Sequence, residues 1–156
     1  MRVAALYDIH GNLPALEAVL AEVEAAAPDL VVVGGDVVAG PLPSGTLDRL
    51  VALGDRVRWV MGNADRMVIE AYDRGGRPAD AEDAIDRLDA WVARQLTQAQ
   101  RDRLAAFEPL VRADVDGLGP VLFCGSVPAL RCGARTTTSP RRWSACAPPA
   151  CRRSTS

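Results

Sequence analysis

Arg2-Val3-Ala4-Ala5-Leu6-Tyr7-Asp8-Ile9-His10-Gly11-Asn12 opens the chain as an apolar run that ends in a short polar loop. The arrangement returns twice. Leu30–Val33 leads into Gly34-Gly35-Asp36 and on through Val37–Pro41, and Val57–Met61 leads into Gly62-Asn63-Ala64-Asp65. Each run reads as a strand, and helical patterns separate them, which is the βα alternation of a parallel sheet. Loops at the carboxyl ends of such strands are where open α/β sheets collect ligands. Three of them bring Asp8, His10, Asp36 and Asn63 to one edge. Hard oxygen donors with one imidazole suit one or two divalent ions of the manganese, iron, zinc or nickel group better than calcium.

The segments between the loops support this reading. Asn12 is a suitable N-cap, and Pro14 falls in the first turn, where a missing N–H is harmless. Leu13, Leu16, Val19, Leu20 and Val23 then recur at helical spacing until Pro28. Ser44 is expected to cap a short helix carrying Leu47, Leu50 and Val51, closed by Gly54. A third helix is expected over 65–72, broken by Gly75-Gly76 and Pro78. Residues 80–107 read as two more helices. Ile85, Leu88, Trp91, Val92 and Leu96 form an apolar stripe, and Thr97 with Gln100 forms a capping box. Leu110–Val115 and Pro120–Cys124, joined by a Gly-containing turn, read as a β-hairpin. Trp59, Trp91 and Phe107 are assigned to the core or its edge.

The 156 residues are enough for one domain with a sizeable core. No apolar run reaches the roughly 20 residues of a membrane span, and no secretory leader pattern opens the sequence, so a cytoplasmic location is expected. Lys is absent and, apart from the single His, every basic side chain is Arg, which with the wealth of Ala, Val, Gly, Pro and Asp points to a GC-rich coding sequence. The net charge of −2 conceals an asymmetry. Residues 1–124 hold all 20 acidic residues and 12 of the 18 Arg, leaving −8, while residues 125–156 hold six Arg and no acid, or +6.

Asp8 and His10 flank Ile9, so in an extended or turning segment both side chains can face the same way. Asp36 follows two glycines, which allow a tight turn and a close backbone approach. Asn63 offers a neutral oxygen. Taken singly, each loop is explained by turn and cap formation. Three loops with the same placement, one holding the only His of the chain, are not.

With these motifs assembled, residues 1–124 resemble the N-terminal two thirds of a calcineurin-like metallophosphoesterase, of the small bacterial and archaeal phosphodiesterase/phosphatase branch. The family's Asp-x-His-Gly-Asn, Gly-Asp with a nearby Gly-Pro, and Gly-Asn-x-Asp/Glu stand here as Asp8–Asn12, Gly35–Pro41 and Gly62–Asp65. The resemblance implies an α/β sandwich of two mixed sheets flanked by helices. It implies Asp8 and His10 on a first metal, Asp36 bridging two metals and Asn63 on the second, with Asp36 and Asn63 serving catalysis. Asn12 and Arg66 are implied on the substrate side. The implied reaction is hydrolysis of a phosphate ester, in a small molecule or nucleotide, by a metal-activated water between ions about 3.5–4 Å apart. Ala64 stands where many members carry a His that assists the leaving group.

Downstream, the family's Cys-His-Gly-Ser-Pro and Gly-His-x-His loops have no counterpart. Cys124 leads to Gly125-Ser126-Val127-Pro128 without the His. A change of reading frame near Cys124 accounts for this and for the acid-free, Arg-rich remainder. The expected organisation is a metallophosphoesterase domain over 1–124, with its second sheet truncated, and an irregular tail over 125–156. The alternative is therefore a catalytically inactive remnant with a weak metal site or none. Cys124, Cys132, Cys146 and Cys151 lack Cys-x-x-Cys spacing, which argues against zinc. Six scattered Arg do not make a specific nucleic-acid surface. The G-x-G-x-x-G spacing of dinucleotide folds is missing. Uncovered apolar surface predicts self-association.

Overall fold

The computed structural model describes residues 1–125, so the readings made of the tail and of the altered frame lie outside the described residues. Three short strands, β1 (Val3–Leu6), β2 (Leu30–Val33) and β3 (Val57–Trp59), form a sheet in the order β1-β2-β3. Both pairings are parallel, with Leu6 opposite Val33 and Val33 opposite Trp59. The common register ends all three strands at one level. The loops carrying Asp8, Asp36 and Asn63 therefore leave from one edge, as expected.

The crossovers are helical. In α1 (Leu13–Ala26) the Asn12 side chain accepts from the Ala15 N–H at 3.2 Å. The chain leaves that helix through Ala27 in the left-handed conformation. Helix α2 (Pro43–Val51) corrects one expectation: Leu42, not Ser44, is the N-cap. Pro43 with its fixed φ already suits the first helical position. Ser44, inside the first turn, instead donates from Oγ to the Gln95 carbonyl at 2.6 Å. Gly54 opens a 3-10 turn, Gly54–Arg56, before β3.

Helix α3 (Asn63–Asp73) begins two residues earlier than the pattern predicts, which makes Asn63 its first residue. Helices α4 (Ala84–Ala93) and α5 (Gln98–Ala105) follow, and Thr97 with Gln100 forms the predicted capping box. The expected stripe on α4 divides. Val92 and Leu96 are buried, whereas Ile85, Leu88 and Trp91 are more than two-fifths exposed.

The alternation of side chains along β2 explains the layering. Val31 and Val33 point into a core with Leu16 and Leu20 of α1, Leu47 and Leu50 of α2, and Val68 of α3. Val32 points the other way, joining Val60 and Val111. Val111 belongs to β4 (Leu110–Val115), which pairs antiparallel with β5 (Gly119–Cys124) as the predicted hairpin. Helices thus cover one face of the parallel sheet and the hairpin the other. A bridge between Val60 and Glu108 ties the two sheets near the loop edge. Trp59 and Phe107 stack with centroids 4.9 Å apart.

Candidate metal centre

The first loop does not extend; it turns. Asp8 and His10 both adopt left-handed backbone, at φ 54° and 48°, and Asp36 does so at φ 50°. Such angles are uncommon outside glycine, and in non-glycine residues they cluster at functional sites. The turning brings one ligand atom each of Asp8, His10 and Asp36 within 4.8 Å of one another. Asp8 and His10 are exposed and Asp36 is half-buried, so the cluster sits at a solvent-open rim.

Backbone bonds weave the loops together. The His10 and Gly11 amides donate to the carbonyls of Asp36 and Val37 at 2.8 and 2.7 Å. The crossing is close enough that a Cβ on Gly40 would strike the His10 carbonyl, and one on Gly62 would strike the Asp36 amide and carboxylate. His10 Nδ1 lies 3.3 Å from the Ala39 carbonyl. A carbonyl only accepts, so this contact is made by a protonated Nδ1, which in the neutral ring leaves Nε2 as the ligating nitrogen, the orientation common among metal-ligating histidines. Asp36 Oδ1 accepts from the Ala64 N–H at 2.9 Å, which fixes the rotation of that carboxylate.

The donor set fits a divalent ion. Two carboxylates and an imidazole are ligands such ions take, and one ligand atom of each already lies within 4.8 Å of the other two. Asn63, half-buried at the start of α3, precedes the residue that holds Asp36. The two residues assigned to the substrate side have other partners. Asn12 caps α1, and Arg66 is exposed with its guanidinium 3.9 Å from Glu70.

Sequence reasoning gave Asp65 no role beyond its motif. Its carboxylate is fully buried and accepts from Val37 at 2.8 Å, Val38 at 3.3 Å and Gly62 at 3.3 Å. Burial pushes its pKa up to about 6; the three amides oppose the shift and the Asp36 charge adds to it. The available signal was its place three residues after the helix cap.

The parallel α/β sheet thus presents a candidate metal-binding Asp-His-Asp cluster at its carboxyl edge, where open α/β sheets bind their ligands. The sequence profile of the calcineurin-like phosphoesterases matches residues 1–124, and the chain belongs to that family. Among solved structures, a metallophosphoesterase from Sphaerobacter thermophilus is 29% identical with a TM-score of 0.54, covering 71% of this chain and 43% of its own. A candidate diadenosine tetraphosphatase is 26% identical with a TM-score of 0.56, covering 71% and 45%. A Pyrococcus horikoshii protein shares the fold at 18% identity and a TM-score of 0.60, covering 72% and 50%. The chain thus spans half or less of the length of each. No functionally curated protein matches the sequence. No helix among the described residues is long and apolar enough to cross a membrane.

Proposed function

We propose that this chain is a metal-dependent phosphoesterase whose cation is held by Asp8, His10 and Asp36, with Asn63 completing a second position. The convergence of three ligand atoms from two loops carries the reading. The chemistry such ions supply is acidification of a water and neutralisation of phosphoryl charge. The chain's own groups do the rest. The Ala39 carbonyl holds the imidazole in its ligating tautomer, and the Ala64 amide holds the Asp36 carboxylate. Asp8 and His10 stand open to solvent, where a phosphate ester can approach. The substrate class is a phosphate ester of a small molecule or nucleotide, in keeping with the name borne by one structural neighbour. Asn12 and Arg66 are its proposed contacts, and manganese, iron, zinc and nickel are the proposed ions.

The rival is a catalytically inactive remnant that binds a cation weakly or not at all. His10 is the only imidazole of the chain, and Ala64 offers no acid to a leaving group. The test is hydrolysis of bis-p-nitrophenyl phosphate with added manganese. The enzyme reading expects turnover that chelator abolishes. It also expects Asp36→Ala to lower the rate more than the roughly 10–100-fold typical of losing an outer partner. Manganese binding without turnover, or no binding at all, favours the inactive remnant, and absence of binding also overturns the cation site.

A further inference from the structure

Residues 36–38 are the point where the three loops cross. The carbonyls of Asp36 and Val37 accept from the first loop, through the amides of His10 and Gly11. The amides of Val37 and Val38 are held by the third loop, through one side chain. Asp65 Oδ1 accepts from Val37 at 2.8 Å and from Val38 at 3.3 Å, while Oδ2 accepts from Gly62 at 3.3 Å. The carboxylate is fully buried. A helix-capping role accounts for the Gly62 bond alone. The Val37 and Val38 amides belong to a loop 27 and 28 residues away and gain nothing from the start of α3.

We infer that Asp65 is a positioning residue that sets cation affinity by fixing the backbone of Asp36, an inference that rests on the cation site proposed above. Asp36 sits at φ 50°, a conformation a non-glycine residue keeps only when its surroundings hold it there. Its carbonyl is pinned to His10 and its carboxylate to Ala64. Asp65 pins the two amides that follow. Releasing them frees Asp36 to relax toward ordinary backbone angles, which swings its carboxylate away from Asp8 and His10. A carboxylate suits the task because it accepts from several N–H groups and donates to none.

Asp65→Asn is the first test. The amide keeps one acceptor oxygen but turns an NH2 toward a backbone donor, on whichever side it faces. Asp65→Glu, which keeps the charge and displaces the oxygens by one methylene, is the second. Val68→Ala, buried in the same helix and carrying no polar atom to bond the loop amides, controls for loss of stability alone. Manganese affinity of the full chain is read from the free-ion electron paramagnetic resonance signal, and Tm is measured alongside. Both Asp65 variants should bind manganese about 10–100-fold more weakly, while Val68→Ala loses Tm and keeps its affinity. Wild-type affinity in either Asp65 variant, with Tm lowered, would show a purely structural carboxylate and overturn the inference alone. A wild-type chain that binds no manganese would overturn the cation site itself, and this role with it.

Discussion

Asp89 shows what a single residue does when burial outruns its partners. It is 3% exposed on α4, and its Oδ2 has no hydrogen-bond partner among the described residues. Burial pushes its pKa up to about 6 from the ordinary 3.8; the nearby charges of Asp86 and Asp83 add to this and Arg74 opposes it. Between those two values the folded chain holds a proton that the unfolded chain has released. Stability from this group is complete below the lower value and is lost as pH rises through the upper one. Asp89→Asn, neutral at every pH, should therefore gain on the wild type at pH 7 relative to pH 4. Urea melts at both values check this, and an equal difference at the two would exclude the mechanism. Asp36 is the opposite case. Its backbone angle is unfavourable by itself, yet its carbonyl, carboxylate and following amides are all engaged.

At the scale of elements, local chemistry is decisive where the chain offers no competing choice. Thr97 accepts from the Gln100 amide at 3.2 Å, and the Gln100 side chain accepts from the Thr97 amide at 3.0 Å. Helix α5 is only 8 residues long and depends on such ends, so Thr97→Ala should cost about 0.5–2 kcal/mol. An unchanged denaturation midpoint would show that packing of Leu104 suffices. Strands, helices and the hairpin were legible because their signals are local: alternation, helical spacing, prolines and caps. Ser44 was misread as a cap because Pro43 accepts the first helical position equally well. The stripe on α4 misled at Ile85, Leu88 and Trp91, since periodicity reports an apolar face without saying what covers it. The convergence of Asp8, His10 and Asp36 was legible through their placement after strands. The bonds of Asp65 were not, because its partners are backbone amides 27 and 28 residues away, and amides leave no trace in residue types.

For the whole molecule, the issue is how completely the two sheets are covered. The helices bury one face of the parallel sheet under a continuous core. The hairpin covers the other with a small cluster around Val32, Val60 and Val111. Its outer side leaves Leu110, Leu118 and Leu122 at 40%, 71% and 53% exposure. Among the described residues β1 has a neighbour on one side only, and a cleft of about 360 Å³ runs along it past Tyr7 and Val19. Apolar patches beside an open strand edge favour association. Light scattering of the full chain should show oligomers that increase with concentration; a monomer at all concentrations would mean these surfaces are already covered. The left-handed angles at Asp8, His10 and Asp36 carry a consequence of another kind. At each of them glycine is the residue the main chain would choose, since it reaches such angles without steric penalty. Glycine at any of them would relieve the left-handed angle, a gain of at most about 1 kcal/mol that the added freedom of glycine in the unfolded chain offsets in part, and it would remove a candidate ligand. The main chain and the Asp-His-Asp cluster thus ask for different residues at the same three positions.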